Sequence, residues 1–109
     1  MEPLQKVIQQ ITQFREERDW KKFHNPKDLS IALNIESSEL LEAFLWKEAG
    51  AENTDAVREE LADVFIYGIL LAEHYGWDMT ELIVEKLKLN ALKYPVDKAK
   101  GNSRKYDQL

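Results

Sequence analysis

The chain has no cysteine, and only four glycines and three prolines among its 109 residues. Without thiols it can form neither a disulfide nor a zinc–thiolate site, which fits a reducing compartment and gives a cytoplasmic expectation. Long runs contain neither glycine nor proline, which favours helix over sheet. Long apolar runs are missing too. The longest, Val64 to Ala72, has nine residues, well short of the roughly 20 that a helix needs to cross a bilayer. Met1-Glu2-Pro3 is not a basic stretch leading into an apolar one, so no signal peptide is expected. There is no glycine-rich phosphate loop, no Ser/His/Asp arrangement, no repeat and no low-complexity tract. Glu-x-x-His is absent: Lys21 stands three before His24 and Leu71 three before His74. That argues against a di-iron carboxylate bundle, which uses the pair on two helices.

What the chain does have is charge, unevenly placed. Residues 1–85 carry 8 basic and 18 acidic side chains, and residues 86–109 carry 7 basic and 2 acidic. An acidic body would repel duplex nucleic acid, so no nucleic-acid partner is expected. An acidic body beside a basic end instead suits a ligand that is both metal-chelating and anionic, such as a polyphosphate.

Four helical segments follow from periodicity and stop signals. The first, about 3–18, spaces Leu4, Val7, Ile8, Ile11 and Phe14 for one face, with Pro3 in the first turn. A polar connector carries Trp20 and Phe23, which either pack under the loop or offer a stacking platform. His24 sits beside the next start, more in keeping with a local hydrogen-bonding group than with a catalytic one. The second segment begins at Asn25-Pro26 and is expected to run to about Glu48. The third, about 54–75, is apolar nearly all round in its second half, which implies burial by another subunit. The fourth opens at Asp78-Met79-Thr80-Glu81, a capping-box spacing, and stops before Pro95. Its Lys86, Asn90 and Lys93 form a polar stripe. Residues 1–95 thus form one helical domain, and residues 96–109 a polar, loop-like basic tail.

Two acidic pairs stand out, Glu36-x-x-Glu39 and Glu60-x-x-Asp63. Residues three apart share a helix face, and here those faces also carry Leu40 and Ala43, or Val64, Tyr67 and Leu71. Twenty acidic residues in 109 make such spacings common by chance, and one pair alone reads as a solvated face. Two pairs on apolar stripes of successive helices call for compensation. A divalent cation supplies it, and oxygen ligands alone suit Mg2+, with Mn2+ as the alternative.

These pairs, twenty residues apart, resemble the signature of the MazG-type all-α nucleoside triphosphate pyrophosphohydrolases. Phe14-Arg15-Glu16-Glu17-Arg18-Asp19-Trp20, Phe23-His24, Glu39-Leu40-Leu41-Glu42-Ala43-Phe44-Leu45-Trp46, Glu59-Glu60-Leu61-Ala62-Asp63, Asn90-x-x-x-Tyr94-Pro95 and Ser103-Arg104-Lys105-Tyr106 are similar to its dCTP pyrophosphatase branch. The resemblance implies a four-helix MazG-type bundle assembled as a dimer or a dimer of dimers. It implies Mg2+-dependent hydrolysis of a nucleoside triphosphate, dCTP or a related deoxynucleotide, to the monophosphate and pyrophosphate, as removal of surplus or non-standard nucleotides. Glu36, Glu39, Glu60 and Asp63 carry over as metal ligands. Trp20, His24 and Trp46 carry over as base contacts; Tyr67, Lys86 and Asn90 as sugar and phosphate contacts; Tyr94 joins the substrate side; and Arg104-Lys105-Tyr106 closes the site. Glu39 or Glu42 is the candidate for orienting or deprotonating the attacking water. The chain departs from the family at Ile35, where many members carry a second acid, and at Ile11, where some dCTP enzymes carry histidine. Two other classes stay open: a helical oligomerisation protein without chemistry, and a metal-dependent hydrolase of another phosphorylated metabolite.

Overall fold

The computed structural model describes residues 2–109. Those residues form five α-helices and two short 3-10 turns, with no strand. No described helix is long and apolar enough to cross a membrane. The chain divides into two compact units, the first ending at Gly76 and the second spanning Trp77–Leu109.

In the first unit, α1 spans Pro3–Glu17. Proline at its first position donates no N–H where none is needed, and the Gln5 side chain accepts from the Glu2 N–H at 3.3 Å. Its end is closed by Arg18, which donates to the Phe14 carbonyl at 3.0 Å and lays its guanidinium 3.6 Å from the Phe14 ring centre. The chain then turns through Asp19, with φ at 54°, into a 3-10 turn at Lys21–Phe23. Trp20 folds back so that its ring meets Phe14 edge-on at 5.8 Å.

Helix α2 spans Pro26–Glu42. Asn25 caps it, accepting from the Asp28 N–H at 2.8 Å. Helix α3, Thr54–His74, is capped in the same way by Asn53, which accepts from Asp55 and Ala56. Just beyond its end stands Gly76, whose φ of 70° is one that side chains rarely adopt. Helices α2 and α3 pack extensively on each other, and α1 packs on α3. The buried side chains that lock this unit are Leu29, Ile69, Leu70 and Ala72, together with one charged residue, Arg15.

The second segment is shorter than its sequence suggests. After Glu42 the chain tightens into successive turns, with Phe44 donating to the Leu41 carbonyl and Leu45 to that of Glu42. Trp46 then takes a φ of 63°. The residues from Ala43 to Trp46 are sound helix formers, so propensity extends the helix. The i-to-i−3 bonds that tighten the last turn instead end it six residues before Glu48.

In the second unit, α4 spans Met79–Lys93 and is capped by Asp78, which accepts from the Glu81 N–H at 3.0 Å. The tail is more structured than the loop its composition suggests. It forms the single-turn α5 at Val96–Ala99 and a 3-10 turn at Tyr106–Gln108. Asn102 donates to the Lys98 carbonyl and accepts from the Arg104 N–H, both at 3.0 Å. Tyr106 meets Tyr94 edge-on at 6.3 Å, and the Lys93 ammonium lies 4.8 Å from the Tyr106 ring. The aromatic pair is what returns the polar tail to the end of α4.

Candidate metal and nucleotide site

The i, i+3 spacing on α2 and α3, together with the packing of the two helices, sets the acids. Glu36, Glu60 and Asp63 each bring a carboxylate oxygen within 4.8 Å of the others. Glu39 stands beside them, close enough for its carboxyl to act on those of Glu36 and Glu60. One oxygen of Glu36 and one of Glu60 are shut off from water and have no hydrogen-bond partner.

The electrostatics follow. Burial, then Glu39, and then the charges of Asp63 and Glu60 push the Glu36 carboxyl up to about 7. The Glu60 carboxyl is raised by burial first and by Glu39 next. Four acids this close cannot all ionise cheaply without a cation. Orphaned carboxylate oxygens converging from two helices are what a hard divalent ion requires, so the donor set fits one.

A cavity of about 370 Å³ opens beside the acids, a size within the range of small-molecule sites. Val7, Ile11 and Phe14 of α1 and Ile66 and Leu70 of α3 make apolar walls. Trp20 and His24 come from the connector, Glu36 from α2, and Asp63 and Tyr67 from α3. The Tyr67 phenol is held protonated, first by burial and then by Glu36, Asp63 and Glu39. The His24 imidazole is held towards its neutral form by burial and then by the Arg15 charge.

The structure therefore brings together Glu36, Glu39, Glu60, Asp63, Trp20, His24 and Tyr67. Glu42 is the last residue of α2. Trp46 stands outside the cavity wall and is 99% exposed. Lys86, Asn90, Tyr94, Arg104, Lys105 and Tyr106 belong to the second unit, with Lys86 and Asn90 four apart on α4. Arg15 is a wall residue that sequence reasoning did not single out. The signal was present: it lies four residues after Ile11 and seven after Ile8, on the apolar stripe of α1.

Residues 31–109 match the model of the MazG-like family. This chain belongs to the MazG-like family. Among its relatives are the dCTP pyrophosphatases 1 of Homo sapiens and Mus musculus. Each is 37% identical over 117 aligned residues, which cover 99% of this chain and 69% of theirs. Its backbone is similar to the crystal structure of a pyrophosphatase from Archaeoglobus fulgidus, with a TM-score of 0.81 and 32% identity over 87% of this chain and 94% of the other. The all-α architecture expected of the MazG-like family is the one observed.

Proposed function

We propose that this chain hydrolyses nucleoside triphosphates to the monophosphate and pyrophosphate, with dCTP as the first candidate substrate. The observation that carries the proposal is the convergence of Glu36, Glu60 and Asp63, with two orphaned oxygens, where Glu36 and Asp63 form the wall of a cavity that is otherwise largely apolar and aromatic. The acids suit a metal-bound polyphosphate, and the apolar walls suit a planar base. The MazG-like family and the names of the relatives, dCTP pyrophosphatase among them, support the same reaction.

Glu36, Glu60 and Asp63, with Glu39 beside them, would hold a divalent cation, Mg2+ or alternatively Mn2+. When bound, it supplies charge stabilisation to the phosphates and acidifies a coordinated water. Glu39, or Glu42 in its place, orients the attacking water and takes its proton. The water oxygen bonds to the α-phosphorus, the bond from that phosphorus to the bridging oxygen breaks, and pyrophosphate leaves with the bridging oxygen. Trp20, His24 and Trp46 address the base. Tyr67, Lys86 and Asn90 address sugar and phosphates, with Tyr94 on the substrate side. The Arg104-Lys105-Tyr106 segment of tail 96–109 closes over the anion held by domain 1–95.

The working form is a homo-oligomer, a dimer or a dimer of dimers, in the cytoplasm, with neither membrane nor nucleic acid as partner. Support for assembly lies on α3, where Leu61 and Phe65 remain 38% and 54% exposed in the single chain. A non-catalytic helical scaffold would leave the orphaned carboxylate oxygens without a purpose. The test is incubation with a panel of nucleoside triphosphates and Mg2+, with pyrophosphate and orthophosphate assayed separately. Stoichiometric pyrophosphate and monophosphate are expected. Release of orthophosphate alone, or no turnover, would overturn the assignment.

A further inference from the structure

The cavity wall holds one charged side chain with no part in the proposed hydrolysis. Arg15 is only 8% exposed, the one charged residue among the described residues to be buried. Its Nη2 pairs with the Glu16 carboxylate at 3.3 Å. Its Nε is shut off from water and has no hydrogen-bond partner, although the side chain forms part of the cavity wall. A buried, unpaired N–H is costly to keep. A guanidinium has donors only, so whatever satisfies Nε must be an acceptor.

We propose that Arg15 reads the substrate's base, its Nε–H donating a hydrogen bond to a ring carbonyl oxygen of the base lodged in the cavity. The inference rests on the nucleotide reading of the site and deepens it. Three observations favour a neutral carbonyl over a phosphate. The Nη2 end of Arg15 is already engaged by Glu16, and Nε is the Arg15 nitrogen that is shut off from water with no partner. Nearby walls are apolar, formed by Ile11, Phe14 and Leu70. The His24 imidazole on the same wall is held towards its neutral form by burial and then by Arg15 itself, so the cavity lacks the multiple positive charges that hold a phosphate. Cytosine, thymine, uracil, guanine and hypoxanthine carry a ring carbonyl, and adenine offers ring nitrogens but no carbonyl oxygen. The substrate class is therefore nucleotides with a keto-bearing base.

The experiment compares wild-type protein and Arg15→Met on dCTP, dITP and dATP with Mg2+, reading pyrophosphate release beside thermal melts. The purines dITP and dATP are of equal size, and only the first has the carbonyl. Wild type should prefer dITP to dATP, a comparison that needs no variant. Arg15→Met should raise KM for dCTP and dITP by about ten- to a hundredfold, the range for one hydrogen bond to a charged group, and that for dATP by much less. Equal wild-type kcat/KM for dITP and dATP would overturn the proposal. So would an equal loss on all three substrates, which marks a phosphate contact or a structural role. No pyrophosphate from any triphosphate would bring down the pyrophosphohydrolase reading itself and this proposal with it, whereas turnover without carbonyl selectivity brings down the Arg15 proposal alone.

Discussion

Glu36 of α2 and Asp63 of α3 each place a carboxylate oxygen within 4.8 Å of the other, on the wall of the cavity that also holds Trp20. Two acids from different helices meeting there gain little from each other and much from a cation between them. Asp63→Asn keeps the shape and removes one ligand charge. Loss of groups behind metal ligands already costs about 10–100-fold, so this substitution should reduce pyrophosphate release by more than about a hundredfold. The helical circular dichroism spectrum should stay intact. Calorimetric titration with Mg2+ should show weakened binding in step. Full activity in Asp63→Asn, or activity in excess chelator, would contradict the metal site.

The same cluster makes stability depend on pH. In the folded, metal-free chain the Glu36 carboxyl is pushed up to about 7 from an ordinary value of 4.5, and Glu60 moves the same way. Between those values the folded state holds a proton that the unfolded state has released. Stability therefore falls as pH rises through this window, and the loss is complete above the folded value. Melting of chelated protein should drop from about pH 5 to about pH 8. Since the cation binds ionised carboxylates, added Mg2+ should raise the melting temperature more at the upper end. A metal-free melting curve that rises across the window would contradict the packed-acid arrangement.

Helix starts were legible in the sequence because their chemistry is local. Asn25-Pro26 and Asp78 each cap as their spacing indicates. The acid pairs were legible for the same reason, since a three-residue step fixes a shared face on any helix. The end of α2 was not, because no glycine marks it: Trp46 takes the left-handed turn that glycine usually takes. Arg15 was not legible either. Pattern shows which edge of an amphipathic helix faces inward, but not that a cation on that edge is buried rather than turned out to water. The order in residues 96–109 depends on Tyr106 reaching Tyr94, a contact across twelve residues that composition does not register.

Apolar surface on α3 sets the next expectation. Phe65 is 54% exposed and Leu61 38% exposed in the single chain, four residues apart on one helix face. Light scattering at micromolar concentration should give a multiple of the single-chain mass. Phe65→Glu places a charge in the proposed contact and should shift the population towards the monomer. A wild-type monomer would count against assembly through α3.

Trp46 offers the sharpest separation of site from scaffold. Its side chain is 99% exposed, its φ is 63°, and no wall of its own chain's cavity includes it. Nothing in the folded chain depends on its packing. Removing it should therefore change stability by no more than about 0.5 kcal/mol, as at other surface positions, whereas truncating a core tryptophan costs about 3–5 kcal/mol. An indole this exposed gains most by stacking on a planar ligand, a contact that contributes about 1–3 kcal/mol per base. Trp46→Ala should then raise KM for dCTP by about ten- to a hundredfold, at about 1.4 kcal/mol per decade, with the melting temperature nearly unchanged. Steady-state kinetics read beside a thermal melt separate the two roles. A large drop in melting temperature with an unchanged KM would make Trp46 a structural residue and remove it from the base site.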